Sequence, residues 1–171
     1  MSFIQQLIAS AIGAFLGFSF SLILFWFQKK YEDKKLKNSL KKNLQFEMEY
    51  NINVLKKYLE KVEDCISQVN ADSKSIYLNL DYSFIGRYHS KEFYNHGLIS
   101  DYFHHENVRR WNIFLLELGE GNHNYINKEV EKWRKGKIEK EDIYLALNQE
   151  KKHIKYGLEM CEFILTTVSS K

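Results

Sequence analysis

Residues 7–27 read LIASAIGAFLGFSFSLILFWF, an unbroken apolar run of 21 positions without a charge, and the chain then turns abruptly to Gln28-Lys29-Lys30. Beyond the lysines the pattern changes. Leu36, Leu40, Leu44, Met48, Ile52, Leu55, Leu59, Val62, Ile66 and Val69 recur at steps of three or four, the period of a helix with one buried stripe. A helix rises about 1.5 Å per residue and a bilayer's hydrocarbon core is roughly 30 Å thick, so the first run predicts a single membrane crossing. No glycine or proline separates Phe27 from Leu36, so the spacing predicts that the anchor continues as one helix to about Asn70.

After Asn70 the periodicity breaks. Ala71-Asp72-Ser73-Lys74-Ser75 is a turn-rich connector, and Ile76-Tyr77-Leu78-Asn79-Leu80 alternates as a strand would, although a short ordered loop is the expectation. Ser90 is expected to cap a short helix through Tyr94, with Gly97 ending it. Ser100-Asp101 then opens a second long helix carrying Val108, Trp111, Phe114, Leu115, Leu118, Ile126, Val130 and Trp133, with Gly119 and Gly121 bending it midway. A last helix begins near Glu139 and turns Ile143, Leu147, Ile154, Leu158, Cys161, Leu165 and Val168 inward. The expected fold is all-α: one N-terminal transmembrane helix continuing into a cytosolic antiparallel helical bundle. Its divisions are a transmembrane anchor over 1–28, a long juxtamembrane helix over 29–70, a connector with a short helix over 71–99, and two further bundle helices over 100–171. The absence of proline from all 171 residues fits long uninterrupted helices.

The small residues Ala9, Ala11 and Gly13 lie inside the apolar run and not behind it, and no charged segment precedes the run. An uncleaved anchor therefore fits better than a secretory signal. Lys29, Lys30, Lys34, Lys35, Lys37, Lys41 and Lys42 all lie C-terminal to the span, which predicts an N-terminus facing out and a bulk that is cytoplasmic; the bacterial inner membrane is what the resemblance described below implies. The segments around Ile113 and Phe163 are too short to cross a second time. Residues 28–64 carry ten lysines against seven acids, 10 − 7 = +3, which equals the net charge of the whole chain. The basic excess is thus juxtamembrane, where it attracts anionic headgroups and argues against a dedicated nucleic-acid face. The two cysteines, Cys65 and Cys161, have no metal-site spacing and read as core packing.

Within the anchor, Ala9, Gly13, Gly17 and Ser21 stand four apart, and Gln6 and Ser10 share the side of Gly13. Small residues let membrane helices approach closely, and glutamine or serine amid lipid favours meeting another helix or water. With one span per chain, those helices belong to other copies. Gln6, Ser10, Gly13, Gly17 and Ser21 would line the lumen of a ring or form the dry seam of a dimer.

Catalytic signals are missing. None of the six histidines falls in an H-E-x-x-H pattern, and there is no phosphate-cradling glycine loop and no GxSxG, so no catalytic residue, metal or cofactor is expected. Arginine is scarce, with only Arg87, Arg109, Arg110 and Arg134. Arg109 and Arg110 beside His104 and His105 could contact phosphate or RNA, against the simpler reading of a solvated helix face. The aromatic group of Tyr88, Phe93, Tyr94, Tyr102, Phe103 and Trp111 reads as core rather than as a base-stacking surface.

The single uncharged span, the lysine-rich exit and the pattern Leu44-x-x-Glu47-x-x-x-Asn51-x-x-x-Leu55, together with a bundle after them, resemble a broad group of bacterial membrane proteins. Length and the lysine, asparagine and tyrosine bias are most similar to the small membrane accessory proteins encoded beside the RNA-guided RNase of type VI-B CRISPR systems. That resemblance implies a homo-oligomeric ring of six or more subunits whose N-terminal helices form a pore in the lipid bilayer. The pore would enhance antiviral defence in concert with an RNA-guided RNase effector complex. It also implies a divergent HEPN-like fold, a class of helical RNases in which an arginine is followed after four to six residues by a histidine. This chain departs from that spacing: Arg87 is followed by His89 and His96, and Arg109, Arg110 and Arg134 have no histidine at the required distance. The expectation is a non-enzymatic pore-forming effector. The alternatives are a membrane-tethered RNase or nucleotide sensor using His104, His105, Arg109 and Arg110, and a passive scaffold that binds a partner protein.

Overall fold

The computed structural model describes residues 2–117 and 125–170, without the side chains of Gln5, Ala9, Trp111 and 114–117. Leu118, Gly119 and Gly121, and the side chains of Ala9, Trp111, Phe114 and Leu115, lie outside the described residues. Among those described, helices and one 3-10 turn are the only regular elements. They are α1 (Phe3–Asn70), a 3-10 turn (Tyr82–Phe84), α2 (Tyr88–Asn95), α3 (Ile99–Tyr102), α4 (His105–Glu117), α5 (Tyr125–Arg134) and α6 (Lys140–Ser169). The continuous helix predicted from the anchor to Asn70 is present as the 68 residues of α1. The chain divides into two compact units, Met1–Ser39 and Leu40–Lys171.

In Met1–Ser39 the helix is apolar on every side over residues 7–27. Its large side chains from Leu7 to Phe27 are all more than half exposed, Leu22 at 51% being the least and Phe15 at 70% the most. Leu36, expected in the buried stripe, is 47% exposed.

Leu40–Lys171 has its own core. From α1 it takes Leu40, Leu44, Met48, Leu55 and Val62, and from α6 Ile143, Leu147, Ile154, Cys161, Ile164 and Val168, with Leu59, Ile66, Leu158 and Leu165 packed partly buried against them. Residues 76–80 form no strand, yet their burial alternates, Ile76, Leu78 and Leu80 inside and Tyr77 and Asn79 outside. The missing ladder partner is supplied by a side chain. Asn127 Oδ1 accepts the Leu80 N–H at 3.0 Å and Asn127 Nδ2 donates to the Leu80 carbonyl at 2.9 Å. One amide thereby satisfies both backbone groups of a residue that no strand pairs.

The long helix expected to open at Ser100-Asp101 is interrupted near its start. Phe103 is extended, with φ −123° and ψ 139°, and separates α3 from α4. Tyr102 and Phe103 are both buried, and a continuous helix would place consecutive side chains about 100° apart, so the kink lets both reach the core. Ile126, Val130 and Trp133 of α5 are buried as the periodicity predicts, and α6 starts at Lys140 with Glu139 in the N-cap position.

Candidate functional site

The strongest constellation in the described residues joins α1 to the start of α2. Glu47 and Asn51 lie one helical turn apart, and are 4% and 0% exposed among apolar neighbours. A buried carboxylate costs much free energy unless hydrogen bonds satisfy it. Glu47 meets that need with three donors. Its Oε2 accepts the His89 N–H at 2.7 Å, its Oε1 accepts the Ser90 N–H at 2.9 Å, and Oε1 also accepts the Ser90 hydroxyl. The first-turn amides of a helix have no intrahelical partner and carry its positive dipole end, so Glu47 caps α2 from another helix.

This corrects the expected role of Ser90. The N-cap position is Arg87, which makes no side-chain capping bond, and Ser90 sits inside α2, fully buried against Glu47. Asn51 extends the lock: its Nδ2 donates to the Gly86 carbonyl at 2.8 Å and its Oδ1 accepts the Gly86 N–H at 2.7 Å. A Cβ on Gly86 would stand 3.0 Å from Glu47 Cγ and 3.3 Å from Asn51 Oδ1, so glycine is what lets this backbone approach so closely. Gly97, at φ +70°, ends α2 as expected, with the Leu98 N–H reaching back to the Phe93 carbonyl. Cys161 on α6 shares this buried environment. Burial pushes its thiol up to about 12, with the Glu47 and Glu162 charges adding to the effect. Burial likewise raises Cys65 to about 11, and both thiols are inert packing groups at neutral pH. Tyr82 is buried, its hydroxyl donating to Glu150, and its pKa is raised by desolvation and then by the Glu150 charge.

His104 immediately precedes α4, His105, Arg109 and Arg110 lie in its first turns, and all four are exposed. They are close in sequence, and their exposure leaves them on the surface of the start of the helix. The aromatic group divides. Phe93, Tyr102 and Phe103 are core, with the Phe93 and Tyr102 rings 5.4 Å apart, whereas Tyr88 and Tyr94 are 68% and 48% exposed.

In the N-terminal part of α1, Gln6, Ser10, Gly13, Gly17 and Ser21 are all exposed. Nothing lies within 4 Å of a Cβ built on Gly13 or Gly17. Ser21 donates its hydroxyl to the Gly17 carbonyl at 2.8 Å, so its proton is satisfied within the helix without an aqueous or neighbouring partner. Trp26 lies at the charged end of the run with Lys30 Nζ 5.1 Å from its ring centroid, the kind of aromatic and lysine pair that suits a headgroup layer.

Sequence reasoning passes over a groove of about 420 Å³ between the 76–80 connector and α5. Tyr77, Asn79, Lys128, Glu131 and Arg134 form its rim, and the buried Leu78 and Val130 lie beneath. The alternation that exposes Tyr77 is a usable signal, as is the run of cations in α5. Their meeting across 51 positions of sequence (128 − 77) is not readable from either. Among the described residues, no group of three or more His, Cys, Asp or Glu side chains is placed to hold a metal ion.

Comparison with known proteins gives no relative: no family model matches the chain, and no curated protein or solved structure is significantly similar to it. One helix among the described residues, α1, is long and apolar enough to cross a membrane.

Proposed function

We propose that the protein is a single-pass membrane protein whose α1 crosses the bilayer over residues 7–27, with Leu40–Lys171 on the cytoplasmic side as an antiparallel bundle. In this reading the helices of several chains associate through the face of Gly13 and Gly17, and a ring of six or more encloses a pore that acts without catalysis. The supporting observation is the exposure, above one half, of every large apolar side chain from Leu7 to Phe27. A helix apolar on all sides needs an apolar medium on all sides. The open space at Gly13 and Gly17 admits a neighbouring backbone, which is the contact that drives association where lipid gives no hydrophobic advantage. The lysines from Lys29 onward favour a cytoplasmic location for the C-terminal unit. The link to an RNA-guided RNase and antiviral defence rests on the resemblance alone, and there the pore would depolarise an infected cell.

The test is the mass of the detergent-solubilised full chain by light scattering, and then dye release from liposomes. The expected result is an oligomer of six or more that leaks, and that dissociates on Gly13→Leu with Gly17→Leu. A monomer or dimer, or a tight oligomer that never leaks even with an activated RNase complex, overturns the pore.

A second reading is favoured by the exposure of His104, His105, Arg109 and Arg110 at one end of α4: a tethered phosphate or RNA contact. In that case, alanine at all four abolishes activity while leaving the oligomer mass unchanged.

A further inference from the structure

We infer that the groove between the 76–80 connector and α5 is a binding site for a nucleoside di- or triphosphate. Its volume of about 420 Å³ lies in the range of roughly 300–1,000 Å³ typical of small-ligand sites. Its two halves offer different chemistry. On one side Tyr77 is 74% exposed, and it borders a bottom formed by the buried Leu78 and Val130. A flat heteroaromatic ring fits such a place, stacked on the phenol with its lower face over aliphatic carbon, while the Asn79 amide offers a donor and an acceptor at the edge. On the other side stand Lys128 and Arg134, and a guanidinium grips phosphate through paired N–H donors.

The neighbouring surface sets the phosphate count. A second hollow of about 210 Å³ shares Lys128 and Glu131 with the first and adds Lys132, Lys135 and Lys137. Together the two hold five cations. Two carboxylates stand among them, Glu131 hydrogen-bonded to Lys135 and Glu129 bonded to Lys132 at 2.6 Å, which leaves 5 − 2 = +3. A chain of phosphates running from the first hollow to the second matches that excess better than a single phosphate does.

The site is also rigid before any ligand arrives. Asn127 holds the Leu80 backbone by two bonds, and Trp133 Nε1 donates to the Ser73 carbonyl at 3.1 Å, so connector and helix are fixed to each other from both ends. Preorganisation of this kind lowers the ordering cost of binding.

The experiment is calorimetric titration of the solubilised full chain with adenosine and guanosine diphosphate, using adenosine and inorganic phosphate as controls. Its outcome does not depend on whether the chain forms a pore. The expected result is saturable binding of a diphosphate, with each control at least about tenfold weaker. Tyr77→Ala and Arg134→Ala are each expected to weaken binding roughly tenfold, and Tyr77→Phe to preserve it. Both positions are exposed, and an unchanged far-ultraviolet dichroism spectrum checks the fold. No saturation by millimolar nucleotide overturns the inference, as does phosphate binding as tightly as the diphosphate. A single-stranded RNA that binds more tightly and is indifferent to Tyr77→Ala would instead mark a general polyanion surface and overturn it equally.

Discussion

Leucine, isoleucine and phenylalanine behave oppositely in the two units of this chain. In Met1–Ser39, Leu16, Ile23 and Phe25 are 61%, 52% and 65% exposed, whereas in Leu40–Lys171, Leu44, Ile154 and Phe93 are all at 0%. Secondary structure does not separate them, because Leu16 and Leu44 belong to the same helix. The difference lies in the residues that surround the apolar positions along the chain. Residues 7–27 have no polar face, and among the described residues of Met1–Ser39 there is no second element to cover any side of the helix. From Leu40 onward lysines and glutamates fill the outer positions, and one stripe suffices to build a core. Burying a large aliphatic or aromatic side chain contributes about 1.5–3 kcal/mol, and the second unit obtains this from its own residues. The first leaves its large apolar side chains from Leu7 to Phe27 more than half exposed.

The sharpest way to break this comparison is to make the first unit resemble the second. Phe18→Arg with Leu22→Arg places two charges mid-span, each costing about 2.5–3.5 kcal/mol at the centre of a membrane helix. The wild-type chain should stay in the membrane through alkaline carbonate extraction and the variant should be released; equal retention would mean that residues 7–27 do not span.

The next largest effect concerns the polar lock inside the second unit. Glu47→Ala leaves the His89 and Ser90 amides and the Ser90 hydroxyl without their acceptor, at a cost of about 3 kcal/mol. Gly86→Ala forces a Cβ against Glu47 Cγ and should cost about 1–3 kcal/mol. Denaturant titration of the full chain in detergent checks both, and the double variant should lose less than the sum because the two act on one cluster. Strict additivity would show that the lock is not a unit.

Alkaline pH tests the core from another side. The thiols of Cys65 and Cys161 are raised from about 9 to about 11 and about 12, so the folded state holds these protons more tightly than the unfolded one. Their contribution is complete below about pH 9 and is lost as pH rises through 11 to 12, with Tyr58 and Tyr82, also raised by burial, adding to the same trend above about pH 10. Alanine at both cysteines should flatten the first part of that decline in a stability-versus-pH curve. An unchanged slope would assign the whole decline to other groups.

The smallest effect is expected at His104, His105, Arg109 and Arg110. Being exposed, they should shift stability by less than about 0.5 kcal/mol when all four are alanine. A larger loss in the melting curve would reveal a structural contact at the start of α4.

Much of the fold is legible in the sequence because it depends on local periodicity. The apolar run, the stripe from Leu40 to Val69, the inward residues of α6 and the glycine end of α2 all arise from spacings of one to four residues. Ser90 departs from its expected role for an instructive reason. Its side chain suits a cap, but a carboxylate 43 positions earlier takes the first-turn amides, and nothing near Ser90 announces this. Glu47 and Asn51 are visible only as a weak pattern; their position beside Met48 and Ile52 on the buried stripe is the clue to their burial. The break at Phe103 is hidden for a similar reason, since the demand that two consecutive aromatic rings face the core comes from the core.

The sequence by itself determined that this chain is helical, that one segment is apolar on all sides, and that the segment continues without interruption into an amphipathic helix. Those properties reside in neighbouring residues. Only the tertiary structure decided that Glu47 caps α2, that Asn127 satisfies the Leu80 backbone, and that Tyr77 meets Lys128 and Arg134 across one groove. Each joins positions more than thirty apart, as the separations 89 − 47, 127 − 80 and 128 − 77 show. Which distant polar groups meet is set by how helices of fixed length pack, and no local periodicity encodes that.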